Sequence, residues 1–296
     1  MTSGVSLPSL PQLQPGDRVP AGTVIAHNAS LHSDNKIHDD DVARKYGFAG
    51  GLVPGVTVYA YMATPLAAAH GARWLSHGGA TVALINPLYE GEAATANAVV
   101  LESDGAAGRV TFDLWAENPA GQRCGSGTAW IALADAQPAV TVPDYVQADP
   151  GPPPDPRPEL LLEGAPVGRI LARLTAPTTV ESARAYAESV FDLNPLFHKA
   201  SPWGLPLIHP GWLLSECNRI FTQTFSFGPW IHTRSEIAYL APAFAGRTFT
   251  FHGRLEQVFE KRQHHYAALD LFCMDDTGQA VMQVRHTAIF KVHPKA

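Results

Sequence analysis

Two short segments concentrate the residues able to move protons. The first runs Ser33-Asp34-Asn35-Lys36-Ile37-His38-Asp39-Asp40-Asp41 and continues through Gly50-Gly51 to Pro54-Gly55. The second runs Asp192-Leu193-Asn194-Pro195-Leu196-Phe197-His198 and reaches His209-Pro210-Gly211. A His and an Asp close in sequence can hold one water between them and serve as general base and general acid. Each segment ends on a glycine at the start of an apolar, helix-like stretch. There, backbone N–H groups and the helix dipole favour developing negative charge, and a glycine allows close approach. Plainer readings stand beside these. An Asx residue before proline favours a turn, His38 could cap the acidic run that follows it, and Gly55 and Gly211 could be helix-entrance turns.

Other residue groups suggest other chemistry less well. His27, His32, Asp34, His38, Asp39 and Asp40 are metal-ligand types, but their spacing matches no metal motif. Asp39-Asp40-Asp41 reads better as the acidic first turn of a short helix ending at Tyr46. Gly125-Ser126-Gly127 lies inside a strand-like segment and so does not form a dinucleotide loop. Lys261-Arg262-Gln263-His264-His265 is a small basic hairpin, either a solvated turn or a contact for phosphates. Cys124, Cys217 and Cys273 lack a basic neighbourhood and read as core fillers. No metal and no redox cofactor is expected.

The elements that carry the two segments repeat. Residues 143–158 hold seven prolines and read as an extended linker at mid-chain. On either side Asn35/Asn194, Pro54-Gly55/Pro210-Gly211, Pro87/Pro242 and Gly121/Gly278 recur in order, at offsets of 155 to 159. The pattern implies a divergent duplication: a domain over 1–142, the linker 143–158 and a domain over 159–296. In each half a helix apolar on most faces (56–75 and 212–225) precedes four strand-like segments. These are 81–85, 94–103, 108–118 and 123–133, then 235–241, 248–259, 264–275 and 280–292. A long buried helix followed by an antiparallel meander, twice over, is an α+β fold.

The 296 residues carry 21 basic and 27 acidic side chains, a formal charge of -6, which argues against a nucleic-acid partner. No apolar run suits a membrane span, and the N-terminus lacks the pattern of a signal peptide, so a cytoplasmic protein is expected.

The two segments and the helix-then-meander order resemble the MaoC-like dehydratase and hydratase family. Its motif D-x-N-P-x-H is followed by Gly-Gly and by His-Gly at the helix start. The resemblance covers nearly the whole chain and implies a tandem double hotdog. It implies addition of water to an enoyl thioester, or the reverse on a 3-hydroxyacyl thioester, carried on coenzyme A or a carrier protein. It implies as catalytic residues His38 or His198 as base and Asp192 or Asp34 as acid partner. Asn35 and Asn194 would shape the loops or bind water, Ser33 would orient water through its hydroxyl, His209 would substitute for the family's helix-start His, and Gly55 or Gly211 would donate an N–H to the thioester oxygen. Apolar residues would line an acyl tunnel that Trp212, Phe225 and Trp230 shorten. Both copies depart from the motif. Ser33 stands at the Asp position of the first, Pro54 replaces its helix-start His, and Phe197 stands at the His position of the second with His198 displaced by one. Broken motifs leave room for a non-catalytic acyl-thioester-binding protein or another lyase. A hotdog thioesterase would need a carboxylate on a buried helix, where Glu216 is the candidate. Two halves can pair their helices within one chain, while pairing to a homodimer is common in the family.

Overall fold

The computed structural model describes residues 7, 9–31, 33–134 and 140–294, so His32 lies outside the described residues. In chain order the elements are β1 (Arg18–Ile25), α1 (Asp40–Lys45), α2 (Gly55–His77), β2 (Gly78–Leu84), β3 (Ala93–Asp104), β4 (Arg109–Glu117) and β5 (Arg123–Ala132). There follow β6 (Leu174–Pro177), α3 (Val180–Ser189), α4 (Pro195–His198), α5 (Pro210–Thr224), β7 (Ile231–Tyr239), β8 (Thr248–Lys261), β9 (His264–Asp275) and β10 (Ala280–Lys291). The strands form one antiparallel sheet in the order β1-β3-β4-β5-β2-β7-β10-β9-β8-β6. Five strands of the first half thus meet five of the second at a seam where β2 pairs β7, from Gly79 opposite Ala238 to Ala83 opposite Arg234.

The apolar stretches of the sequence become the two central helices. α2 is buried along almost its full length and packs on α5 and on β1, β3 and β5. It holds Pro65, and its backbone leaves helical geometry at His70, so it is kinked. α5 begins on Pro210, where a missing N–H is harmless. Across the seam the Tyr59 hydroxyl of α2 hydrogen-bonds the Tyr239 hydroxyl of β7. Trp74 packs edge-on against the same Tyr239 at 5.5 Å.

Eight strands correspond to the eight strand-like segments. β1 and β6 do not: they carry little alternation and sit at the two edges of the sheet. β1 contains Pro20 and a register shift between Val19 and Gly22, and β6 is four residues long and ends on Pro177. Such residues are tolerated at edges and not in central strands. The proline-rich segment contains a short 3-10 turn, Asp144–Val146, whose Tyr145 and Val146 are buried with Phe272 and Ala280. It therefore docks on the second half rather than hanging free.

The glycines of Gly125-Ser126-Gly127 serve packing. A Cβ at Gly125 would lie 2.4 Å from Met62 Sδ and 3.2 Å from Val58 Cγ1, so α2 rests directly on β5 there. Gly125→Val should force α2 off the sheet, at a cost of about 1–3 kcal/mol for overpacking. Urea unfolding would measure it. An unchanged midpoint would show that the helix–sheet contact is looser than these distances state.

Candidate active site

The first segment folds into one wall of a cavity of about 540 Å³. Asn35 caps a 3-10 turn over Lys36–His38, and Asp39 caps α1 by accepting from Val42 N at 3.0 Å. The acidic run is thereby accounted for: Asp40 and Asp41 pair with Arg44, and His27 pairs with Glu90. The cavity is lined by Asn35 and His38, by Pro54 and Gly55 at the head of α2, by Leu84 to Leu88 beyond β2, and by Trp230 and His232 from the second half. Arg262, His264 and His293 also reach its lining.

His38 is held by two backbone-anchored contacts. Its Nδ1–H donates to the Leu52 carbonyl at 2.7 Å. Its Nε2 therefore carries the lone pair and accepts a hydrogen bond from Asn35 Nδ2 at 3.3 Å. Asn35 in turn pairs with the backbone of Trp230, donating to its carbonyl at 3.0 Å and accepting from its N–H at 3.2 Å. One loop of the first half is thus pinned to the second. Burial lowers the His38 pKa below the ordinary histidine value, against a smaller opposing contribution from the Leu52 bond. The His38 ring is therefore neutral at pH 7. Gly51 makes the hold feasible: a Cβ there would fall 2.1 Å from the His38 carbonyl oxygen.

The head of α2 is open. Pro54 offers no side-chain cap, and the first helical hydrogen bonds come from Thr57 and Val58 to the Pro54 carbonyl. The N–H groups of Gly55 and Val56 make no hydrogen bond among the described residues, and Gly55 lines the cavity. Backbone donors at a helix start suit an oxygen that gains negative charge.

The second segment is built differently. Asp192 is 1% exposed and its Oδ1 accepts from Asn194 N at 2.9 Å. Its carbonyl accepts from His198 Nε2 at 2.7 Å. Asn194 caps α4 by accepting from Leu196 N at 3.0 Å. His209 caps α5: its Nδ1 accepts from Gly211 N at 3.0 Å, which leaves the proton on Nε2. That Nε2 faces Asp192 Oδ2 at 3.3 Å, within ion-pair range but without hydrogen-bond alignment. Phe197, fully buried, packs on the His209 ring at 4.7 Å, and a Cβ on Gly211 would meet Ala60 and Tyr186, each at 2.7 Å.

Of the residues singled out in the sequence, His38, Asn35 and Gly55 therefore come together at the cavity. Asp192, Asn194, His198, His209 and Gly211 gather in the second half, and none of them lines it. Asp34 is exposed, and Ser33 turns its hydroxyl to the Asn35 carbonyl at 3.4 Å; neither lines the cavity. Trp230 is a cavity wall, while Trp212 packs on Phe249 and Phe225 on Phe221. Glu216, raised to about 7 by burial against the pull of its Arg219 partner, is also not in the lining. Sequence reasoning passed over His232 and Asn218, which line the cavity from the other half. No spacing links them to His38.

Gly51→Ala should push the His38 backbone away and loosen its bond to Leu52. Because that bond raises the His38 pKa, its loss should lower the titration point further. NMR titration of the His38 ring reads this directly, and an unshifted midpoint would count against the packing role of Gly51.

No protein-family model matches the chain, and no curated protein matches it. Among solved structures it is similar to a protein assigned as a MaoC-domain dehydratase from Chloroflexus aurantiacus, at 11% identity. That match covers 99% of this chain and 100% of that one, with a TM-score of 0.68. It is similar to a MaoC-like dehydratase at 15% identity, over 95% and 99% of the two chains, with a TM-score of 0.62. A conserved hypothetical protein of Mycobacterium tuberculosis with a double hotdog fold matches at 15% identity over 96% and 98%, with a TM-score of 0.66. In fold the chain is a double hotdog, the α+β architecture that these MaoC-like structures share.

Proposed function

We propose that this chain adds water to an enoyl thioester, or removes it from a 3-hydroxyacyl thioester, in the cavity lined by His38 and Gly55. One observation carries the reading: a neutral imidazole and an uncapped helix start line the same cavity. The attacking water takes the place of the Asn35 amide at His38 Nε2, which accepts its proton as oxygen bonds to the β-carbon, and the imidazolium returns a proton to the α-carbon. The N–H groups at Gly55 hold the thioester oxygen while charge builds there. Asn35 orients His38. Exposed Arg262 lies beside the cavity, where a cation suits the phosphates of coenzyme A or of a carrier-protein arm.

In the second half, Asp192, Asn194, His198 and His209 act as structure in this reading. His209 occupies the very N–H that the first half leaves open, and Phe197 fills the space beside it. The thioesterase alternative draws no support from Glu216, which stands outside the cavity lining.

The test is hydration of trans-2-enoyl-CoA substrates by purified full-length protein. His38→Ala should lower kcat by about 10²- to 10⁴-fold, the usual contribution of a general base. Asp192→Asn should lower the melting temperature while kcat stays within a few-fold. The reverse outcome would move the site to the second half. Loss of neither, with wild-type turnover intact, would remove both residues from the chemistry.

The pH dependence has a definite sign. A base must be neutral to act, and a lowered pKa keeps His38 neutral to lower pH. The acid limb of kcat/KM should therefore fall below 6.5, with a flat profile from there through neutrality. An acid limb above 6.5 would identify a different base.

A further inference from the structure

The first segment has Ser33 where the family motif has its carboxylate, so His38 lacks the expected partner on its own loop. The opposite half supplies another group. His232, at the start of β7, is 3% exposed and lines the cavity. Its Nδ1 is buried and has no hydrogen-bond partner among the described residues. A Cβ on Gly55 would lie 3.1 Å from that nitrogen, which places it beside the open head of α2.

The other face of the ring is fully engaged. His232 Nε2 lies 2.9 Å from Ser235 Oγ, Ser235 Oγ lies 2.9 Å from His286 Nδ1, and His286 Nε2 lies 3.0 Å from Asn218 Oδ1. The terminal carbonyl oxygen can only accept. His286 therefore carries its proton on Nε2, Ser235 donates to His286 Nδ1, and His232 donates from Nε2 to Ser235. The Nδ1 of a neutral His232 is left with its lone pair unengaged among the described residues, beside the cavity-lining Gly55. Both rings stay neutral, since burial lowers the pKa of His232 to about 4 and that of His286 well below the ordinary value. They also stack at 4.3 Å between centres and 18° from parallel, so charge on either would repel charge on the other.

We propose that His232 is a second catalytic residue of the site, its Nδ1 accepting a hydrogen bond from the attacking water while Ser235, His286 and Asn218 hold the ring in that tautomer. The inference rests on the thioester reading above. One water has two O–H bonds. His38 takes the proton of one as oxygen bonds to the β-carbon, and the π electrons move toward the thioester oxygen. His232 accepts the other O–H without removing its proton, which aims the oxygen lone pair. The imidazolium of His38 then protonates the α-carbon and is neutral again, so one water is consumed and no other reactant is needed. A buried imidazole stacked on a second one suits the part of acceptor better than that of proton carrier.

The experiment has two arms on the full-length protein. In the first, His232→Ala is assayed with crotonyl-CoA and trans-2-octenoyl-CoA. A fall in kcat of about 100-fold is expected from loss of a water-orienting group, with KM within about threefold and partial recovery on adding imidazole. A folded variant with wild-type kcat overturns the inference. The second arm stands if that variant misfolds. In 15N spectra of the wild type, His232 Nδ1 should be the unprotonated nitrogen and should move on adding butyryl-CoA, a saturated probe that cannot be hydrated. Asn218→Leu removes the terminal acceptor and should release the tautomer, lowering kcat more than it changes KM. A protonated Nδ1, or one indifferent to butyryl-CoA, overturns the inference. If the wild type hydrates no enoyl-CoA, the thioester reading fails for His38 and His232 together. If it does and only the His232 results are negative, this inference fails alone.

Discussion

The pairing of β2 with β7 is the constraint on which the rest depends. It fuses two five-stranded halves into one sheet, and it needs backbones closer than most side chains allow. A Cβ on Gly79 would come 2.3 Å from the Ile237 carbonyl oxygen. With the seam closed, the start of β7 lies against the end of β2 and the head of α2. That single arrangement sets Trp230 where Asn35 can pair with its backbone, and His232 beside Gly55. The cavity has walls from both halves, so neither half would enclose it without the other.

The chain has two central helix starts, and they are built oppositely. An N-terminal helix turn leaves N–H groups without partners. At α5 a side chain supplies one, His209, and aromatic packing closes the space around it. At α2 a proline precedes the helix and supplies nothing. The second half has a cap and a filled interior where the first has N–H groups without partners among the described residues beside a cavity. The intact Asp192-x-Asn194-Pro195 of the second half, which looks like the better motif in the sequence, is explained locally as a turn and a helix cap.

The sequence made the architecture readable because the signals were local. Buried helices showed as long apolar stretches, central strands as alternation, and the repeated helix-then-strands order as landmark spacing. The edge strands escaped because Pro20, the irregularity near Gly22 and Pro177 mask a strand that pairs on one side only. The site was half legible. His38, Asn35 and Gly55 lie within one motif. His232 and Asn218 belong to the same cavity through contacts that close only at the seam, and nothing in their own neighbourhoods announces it. Residue identity also misled within the motif, since Asp34 is adjacent to the expected position yet exposed.

The buried histidine pair is where stability and chemistry pull against each other. Three of the four ring nitrogens of His232 and His286 are satisfied, and the fourth, His232 Nδ1, is buried without a partner among the described residues. An unsatisfied buried polar atom costs about 1–3 kcal/mol. The pair adds a pH liability of definite sign. The folded pKa of His232, about 4, lies below its unfolded value of 6.5, so the unfolded chain binds more protons between them. Its contribution to stability is present above pH 6.5 and is lost as pH falls toward 4. An aliphatic pair would fill the same volume with neither penalty. What an aliphatic pair lacks is a lone pair held at a fixed angle beside an open helix start.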